Sequence, residues 1–311
     1  MNRLPVPTRR HRARFYRFLP EKKAGPFRRL LRPRNGLLML SVLLVALWSL
    51  QMARSARTAD RNRTYSGWHE AAEKAAPASA SGDAAGRIRR MTMPDGSPIT
   101  REMKQAQGLS VPELVQTAVY HRTEGEVLPA MASLQERNGD LVAWLEIRGQ
   151  VDLPVVYRDN EWYLNHDFEN RSSPAGTLFL DQRHPLEART QNLLIHGHNM
   201  KDGSMFGRLI RYLDRDFWKK HSLLSLTTLW EKETYLIFAV MVVPDDPRKD
   251  GYVNYFSHPT FASDADFRNY LLKVQTCSRL PADQSVQPDD ALLTLSTCVG
   301  EDHLVLLARK I

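Results

Sequence analysis

The sequence predicts a mainly β fold, an eight-stranded barrel or sandwich, that follows a single membrane-spanning helix. Short segments rich in β-branched and aromatic residues recur between turn signals in the C-terminal part of the chain. One long run near the N-terminus is apolar and carries no charge. The chain has 311 residues, 42% of them hydrophobic, which is sufficient for a sizeable core.

Residues 1–35 are predicted to form a basic cytoplasmic tail. They contain twelve lysines and arginines and one acidic residue, Glu21, a net charge of +11 against +8 for the whole chain. Basic residues beside a membrane helix favour the cytoplasmic side and attract anionic membrane lipids. We therefore expect contact with membrane lipids and no binding of nucleic acid, the other common use of a basic tail.

Residues 36–53 are predicted to form a transmembrane helix. The uncharged run from Gly36 to Met52 is long enough to cross a hydrocarbon core of about 30 Å, and Trp48 suits a membrane interface. A cleaved signal peptide is the alternative, but the basic region is too long and no small-residue cleavage site follows at a suitable distance. We expect a single-pass anchor in the cell membrane, with the N-terminus in the cytoplasm and the C-terminal domain outside the cell.

Residues 54–109 are predicted to form a flexible extracellular stalk, because they are rich in Ala, Ser, Arg and Gly and have few large apolar residues. A helical patch is expected around residues 68–76. The folded domain is expected at residues 110–311, and we expect it to fold without residues 1–35 and 54–108.

The predicted domain opens with two helices. Ser110 to Glu113 fits a capping box with proline in the first turn, and the helix is expected to reach about Tyr120. A second helical run ends at Asn138-Gly139. Eight strands are then predicted at 144–147, 154–157, 177–180, 192–196, 223–229, 234–243, 292–297 and 304–308. Helical segments interrupt them at 204–220 and 264–275.

Two residues at predicted strand ends suggest nucleophilic cysteine chemistry. Cys298 follows an apolar strand, and His198 lies where another strand gives way to a Gly/Asn turn. A free cysteine has a pKa of about 8.5, so a catalytic thiol needs a nearby histidine or another cation. Asp181 and Asp202 are candidates to orient His198, although aspartates at such positions more often cap turns.

Two other uses of these residues are weighed and not favoured. His196 and His198 share a strand face and, with Cys298, would make a three-ligand zinc site; His196 is instead expected to line the pocket. A disulfide between Cys277 and Cys298 is conceivable in an exported chain, but Cys277 ends a helix-like run. No cofactor and no metal are expected.

Several motifs occur in order and at suitable distances between residues 112 and 311, and together they resemble the class B sortases. The motifs are Asn138 to Leu145, Leu153 to Tyr157, Trp162 to Phe168, Ala175 to Asp181, Gly197 to Phe206 and Thr294 to Cys298. The resemblance implies an eight-stranded sortase-type barrel with an N-terminal helical pair and a helix between strands six and seven. It also implies a membrane-anchored cysteine transpeptidase of a Gram-positive-type cell.

The resemblance also implies the reaction and its partners. In such enzymes the cysteine attacks a Thr–Gly or equivalent bond in the C-terminal sorting signal of a secreted protein and forms a thioacyl enzyme. An amine of a peptidoglycan precursor or of a pilin then resolves the thioester. The resemblance specifies neither the sorting motif nor the acceptor amine of this chain.

Residue by residue, Cys298 matches the nucleophile and His198 the general acid/base. Ser296 faces the same way as Cys298 and matches a position near the substrate. Tyr252 and Val253 match a substrate wall between strands six and seven.

The sequence departs from the family at one position. The family has an arginine that opens the eighth strand and stabilises the oxyanion, and His303 stands there in this chain. Arg309 is the only arginine after Cys298, but it lies six residues further, about 20 Å along a strand. Either His303 substitutes, or another arginine reaches in, or activity is weakened. The alternative function is a catalytically weak module that binds sorting signals or pilin subunits.

Overall fold

A computed structural model describes residues 33–76, 127–184, 190–283 and 285–311. The chain divides into two compact units, Met1–Arg54 and Ser55–Ile311. Helix α1, Pro33–Ala75, begins in the first unit. From Met39 it is long and apolar enough to cross a membrane, and the side chains of its apolar stretch are exposed, which suggests a membrane anchor.

The second unit contains a segment that the sequence analysis assigned to a flexible stalk. Residues 55–75 are helical, and Tyr65 and His69 are buried there. Tyr65, Trp68 and Ala72 recur at helical spacing, so they form one stripe that packs beside barrel residues such as Phe168. The prediction missed this because so short a stripe is stable only when tertiary contacts complete it. Residues 77–109 and the helix predicted at 110–120 lie outside the described residues.

Eight strands form a closed barrel, as predicted. Their bounds are β1 Leu141–Ile147, β2 Val151–Val156, β3 Leu178–Leu180, β4 Asn192–His196, β5 Leu223–Thr228, β6 Lys232–Pro244, β7 Leu292–Val299 and β8 Asp302–Lys310. Their order around the barrel is β1-β2-β3-β4-β7-β8-β6-β5, with β2–β3 and β4–β7 paired in parallel and the other neighbours antiparallel. The parallel β4–β7 pair brings two strand ends together on the same side of the barrel.

Besides α1, three helices lie in the described part of the second unit. Their bounds are α2 Pro129–Gln135, α3 Arg215–Lys220 and α4 Asp264–Cys277, with 3-10 turns at Trp162–Leu164 and Leu209–Leu213. Helix α2 is the second of the two predicted N-terminal helices, and α4 lies between β6 and β7 as predicted. The helix expected over 204–220 is in fact a 3-10 turn followed by α3, because Asp214 adopts an extended conformation and caps α3 through the amides of Asp216 and Phe217.

The strands have two faces with different partners. One set of side chains comes from all eight strands and fills the barrel interior, for example Leu293 and Leu295 of β7. Neighbouring residues of the same strands, such as Leu292 and Leu194, pack outside the barrel against α4 and the β6–β7 connection. Because side chains alternate along a strand, Ser296 and Cys298 lie on this outer face.

Candidate active site

The site begins where β4 and β7 end side by side. His196 is the register partner of Ser296, the amide of Gly197 donates to the Ser296 carbonyl at 3.2 Å, and the Asn199 side chain donates to the Cys298 carbonyl at 2.8 Å. His198 and Cys298 each lie two residues beyond the paired positions. Neighbouring strands are about 4.8 Å apart, so the fold brings these two residues next to each other.

The two cysteines lie in different surroundings. Cys298 is exposed near the end of β7, and Cys277 is half-buried as the last residue of α4. Both are free thiols. Cys298 is therefore accessible to a substrate that lies along the outer face of the barrel.

His198 is held by a backbone carbonyl. Its Nε2 lies 2.9 Å from the carbonyl oxygen of Leu164, and the Phe206 amide donates to the carbonyl of His198 at 3.0 Å. A carbonyl oxygen only accepts, so Nε2 carries the hydrogen and Nδ1 of the neutral ring is left to accept a proton. The half-buried imidazole is thus fixed in one orientation beside Cys298.

A glycine supports the carbonyl that holds His198. Gly176 has φ +61°, and a Cβ there would lie 2.3 Å from the carbonyl oxygen of Tyr163 and 2.9 Å from that of Leu164. The next residue, Thr177, donates its amide to the Tyr163 carbonyl at 3.0 Å. A side chain at position 176 would therefore displace the acceptor of His198.

His303 lies on the other side of Cys298. The two residues are register partners in the β7–β8 ladder, so their Cβ atoms are about 5 Å apart on one face. Nε2 of His303 lies 3.3 Å from Oδ1 of Asp245, which directly follows β6, and the ring lies edge-on to Tyr255 at 6.2 Å. The thiol is flanked by two imidazoles, one on each neighbouring strand.

Comparison with curated proteins finds two relatives over the barrel region. The chain is 38% identical over 186 residues to sortase B of Listeria monocytogenes, which covers 59% of this chain and 73% of the relative. It is 30% identical over 174 residues to sortase B of Staphylococcus aureus, which covers 55% of this chain and 68% of the relative. The chain belongs to the class B sortases. It is a cysteine transpeptidase by this membership.

Solved structures are similar to this sortase in fold. Sortase B of Bacillus anthracis in complex with AAEK1 has a TM-score of 0.54 and 31% identity, over 60% of this chain and 86% of that one. The Staphylococcus aureus sortase B–substrate complex has a TM-score of 0.54 and 26% identity, over 68% of this chain and 99% of that one. No protein-family model matches the sequence.

The sortase places one predicted site residue far from the others. Arg309 is the register partner of Leu292 at the opposite end of β7 from Cys298, and its side chain contacts Ser285 at 2.9 Å and Asp283 at 3.5 Å. Arg309 is therefore as far from Cys298 as its position along the strand suggested, and it could serve the site only if β8 shifted along β7. The strand shift that it would need is absent, because β7 and β8 pair in continuous register from Leu292 to Val299.

Ser296 has a partner that the sequence analysis missed. The hydroxyl of Tyr255 and Oγ of Ser296 are 2.9 Å apart in a buried hydrogen bond. Burial raises the pKa of Tyr255 to about 12, so the phenol stays protonated at neutral pH. Tyr255 follows the two expected wall residues, Tyr252 and Val253, by three and by two positions respectively. The residues around Tyr255 form no recognisable sequence motif. Its contact with Ser296 becomes visible only in the folded β6–β7 connection.

The expected wall residues differ in exposure. Val253 is 1% exposed and belongs to the cluster under α4, so it supports the wall from behind and offers no surface to a substrate. Tyr252 is half-buried and packs against the same cluster. Tyr255 is also buried, 4% exposed, and it links this cluster to Ser296 through its hydroxyl.

His196 is held by a carboxylate that the sequence analysis considered for His198. Nε2 of His196 lies 2.8 Å from Oδ2 of Asp181, and Arg183 donates to both oxygens of the same carboxylate at 2.7 and 2.6 Å. Burial alone would raise the pKa of Asp181, but the hydrogen bonds from Arg183 and His196 lower it well below its usual range. Asp181 orients His196 and not His198, since it lies on the β3 side of β4.

The other aspartate considered for His198 has a different role. Oδ1 of Asp202 accepts from the amide of Ser204 at 2.9 Å and from its hydroxyl, which is a turn cap. Among the residues that the structure describes, no group of three His, Cys, Asp or Glu side chains is arranged to hold a metal ion.

Proposed function

We propose that this sortase is a membrane-anchored enzyme that cleaves the C-terminal sorting signal of secreted proteins and joins them to an amine of the cell wall or of a pilin. The observation that carries the proposal is the exposed thiol of Cys298 between His198 and His303. The sorting signal fits the outer face of the barrel at the ends of β4 and β7. A substrate complex of Staphylococcus aureus sortase B supports binding of such substrates.

In the first half of the reaction, the sulfur of Cys298 attacks the scissile carbonyl carbon. His198 accepts the thiol proton of Cys298 on Nδ1, a C–S bond forms, the C–N bond breaks, and His198 gives that proton to the leaving amine. In the second half the acceptor amine attacks the thioester, the C–S bond breaks, and the proton of the amine passes through His198 to the sulfur of Cys298, which restores the thiol. The bond from Nε2 to Leu164 leaves Nδ1 to carry this proton in both directions.

His303 is the proposed donor to the oxyanion. Its Nε2 is engaged by Asp245, so a neutral ring that donates to that carboxylate has only an acceptor nitrogen left. Only the doubly protonated ring has a second N–H for the developing negative charge. We therefore propose that His303, with its ring oriented by Asp245, takes the place of the arginine of its relatives.

The rest of the site binds the peptide chain. The protonated Tyr255–Ser296 pair and the His196–Asp181–Arg183 group line the outer face next to Cys298. The guanidinium of Arg183 also lies over the ring of Phe256, 5.1 Å from its centroid. This contact joins the His196–Asp181–Arg183 group to the β6–β7 connection that carries Tyr255. The partly exposed side chains of His196, Arg183 and Tyr252 are the proposed substrate contacts, and the buried Tyr255–Ser296 pair and Asp181 support this surface from beneath.

The proposed orientation puts the barrel outside the cell. The apolar part of α1 is the anchor, and the basic residues 1–35 would be retained in the cytoplasm and contact anionic lipids. Secreted proteins and the amines of the cell wall meet the enzyme on this outer side.

The test uses the full chain in mild detergent and dye–quencher peptides with Asn-Pro-type and Leu-Pro-type signals. Wild type, His198→Ala and His303→Arg are compared, with oligoglycine and diaminopimelate as amines, and products are identified by mass spectrometry. The proposal expects cleavage and transfer by wild type, and in His198→Ala only a small residual rate of Cys298 acylation. If only His303→Arg reacts, the natural protein is a catalytically weak module that binds sorting signals or pilin subunits.

A further inference from the structure

Residues 55–75 of α1 contact the loop that holds the proposed proton carrier. This loop, residues 162–177, joins β2 to β3 and will be called the β2–β3 loop. NH1 of Arg61 lies 2.7 Å from Oδ2 of Asp167, and NH2 of the same guanidinium lies 3.0 Å from Oγ of Ser173. The Arg61 side chain therefore connects the first half of the loop, at Asp167, with its second half, at Ser173.

The carboxylate that Arg61 contacts is a central acceptor in the loop. Asp167 is 2% exposed, and its Oδ1 accepts from the amides of Glu169 and Arg171 at 3.0 and 2.9 Å. Its Oδ2 is shared by Arg61 and by Arg171, whose side chain is 55% exposed. Without Arg61, the negative charge of the buried Asp167 carboxylate would be balanced only by Arg171, whose side chain is largely in solvent.

Backbone hydrogen bonds join this region to Leu164. The amide of Ser173 donates to the carbonyl of Asn165 at 2.8 Å, directly beside Leu164. Asp167 also lies only three residues after Leu164, whose carbonyl accepts from His198. Arg61 is thus connected to His198 by its contacts with Asp167 and Ser173 and by the backbone between Leu164 and Asp167.

Aromatic packing fixes the helix against the same loop. The ring of Tyr65, one helical turn after Arg61, lies edge-on to Phe168 at 5.7 Å, and both side chains are buried. Further along α1, His69 stacks on Trp144 at 4.4 Å. The helix is therefore held by aromatic packing in the two turns after Arg61, and Arg61 adds a polar contact to the loop.

We propose that Arg61 is a positioning residue, through which residues 55–75 of α1 keep the Leu164 carbonyl, and so the imidazole of His198, in place for proton transfer. Turnover then depends on α1 being packed on the barrel. This inference rests on the proposed function, since it assigns a task to the proton carrier proposed there.

The test compares four forms of the full chain in detergent: wild type, Arg61→Ala, Arg61→Lys and Arg63→Ala. Arg63 is the matched control, because it lies on the same helix and contacts only the exposed Asp60 among its described ion pairs. Steady-state cleavage of the peptide that wild type accepts gives kcat and KM. We expect kcat of Arg61→Ala to fall between about 10- and 100-fold with little change in KM. Arg61→Lys keeps the positive charge but cannot contact Asp167 and Ser173 through two separate nitrogens. Its kcat should therefore lie between those of Arg61→Ala and wild type.

A second measurement separates positioning from a general loss of structure. The effect of Arg61→Ala is measured again in the His198→Ala background, on the residual rate of Cys298 acylation. A positioning role predicts no further loss there, because the imidazole is already gone. An equal loss in both backgrounds, or a wild-type kcat in folded Arg61→Ala, would overturn the inference. Inactivity of both wild type and Arg63→Ala would instead contradict the proposed function.

Discussion

Cys298 on β7 lies directly opposite His303 on β8, while His198 follows β4 on the other side of the same strand. The two imidazoles are held by different acceptors, a backbone carbonyl at His198 and a carboxylate at His303. A neutral acceptor suits a ring that gains and loses a proton in each half-reaction. A carboxylate beside His303 orients the ring by accepting from the nitrogen that faces it. The structure thus assigns different environments to the two histidines around one thiol.

Removal of His303 should slow acyl-enzyme formation. In His303→Ala no group on β8 can donate to the oxyanion, and loss of such a donor typically costs about 100- to 1,000-fold. Asp245→Asn should give a smaller loss, because the ring remains but its counter-ion is neutral. Rapid-quench mass spectrometry of the acyl-enzyme would measure both. Asp246→Asn is the matched control, since Asp246 pairs with Arg248 on the surface, and its rate should equal wild type.

Substitution of Gly176 should affect both stability and activity. Gly176→Ala places a residue with a Cβ at φ +61° and pushes it against the carbonyls of Tyr163 and Leu164. Gly149→Ala is the control, because it has φ +70° and open space around its Cβ. The backbone strain should cost both variants about 1–3 kcal/mol in urea unfolding. Only Gly176→Ala should also lower kcat; equal kcat in the two variants would contradict the link from Gly176 through Leu164 to His198.

Loss of the Tyr255 hydroxyl should weaken peptide binding. Tyr255→Phe leaves the buried Oγ of Ser296 without its partner, which costs about 1–3 kcal/mol. We expect a higher KM and a small loss of stability. In a double-mutant cycle with Ser296→Ala, the second substitution should cost much less than the first. Additive effects would mean that the hydroxyl pair does not act as one unit.

Stability should fall in mild acid because of His184. Burial lowers the pKa of this histidine to about 4, and the neutral ring donates to Thr190 and accepts from the amide of Leu194 at 2.9 Å. Below the usual histidine value of about 6.5 the unfolded chain takes up a proton that the folded chain does not. Between about pH 6.5 and pH 4 this lowers the free energy of unfolding by up to about 3 kcal/mol.

Urea unfolding from pH 7.5 to pH 4 would measure this effect, with His184→Gln as the reference. The variant has no titrating group at this position, so its stability should decline less over that range. Equal slopes in the two proteins would contradict the assignment. The comparison also removes the contribution of all other titrating groups that the two proteins share.

Much of the barrel is predictable from local patterns. The strand at Asn192–His196 has the predicted bounds, and β7 extends the predicted 292–297 by only two residues. These segments follow their own sequence closely because apolar and β-branched residues fill both faces. Cys298 and His198 are predicted site residues because each lies where such a strand meets a polar turn.

Other parts of the site depend on contacts that no local pattern carries. Tyr255 and Asp245 belong to the connection after β6, whose path is set by packing against α4 and β8. Residues 55–75 have too few apolar side chains to be recognised as part of a folded unit, and their helix packs only because the barrel provides Trp144 and Phe168. Arg309 was considered only because strand register cannot be read from sequence with certainty.

The measurement that tests the central claim most directly is the position of the acyl group on the enzyme. The full chain in detergent is mixed with sorting-signal peptides, quenched, digested and mapped by mass spectrometry, for wild type, Cys298→Ala and Cys277→Ala. The account predicts an adduct with the mass of the N-terminal peptide fragment on Cys298 in wild type and in Cys277→Ala, which an added amine removes. Cys298→Ala should form none. An adduct on Cys277, or cleavage that persists in Cys298→Ala, would contradict it.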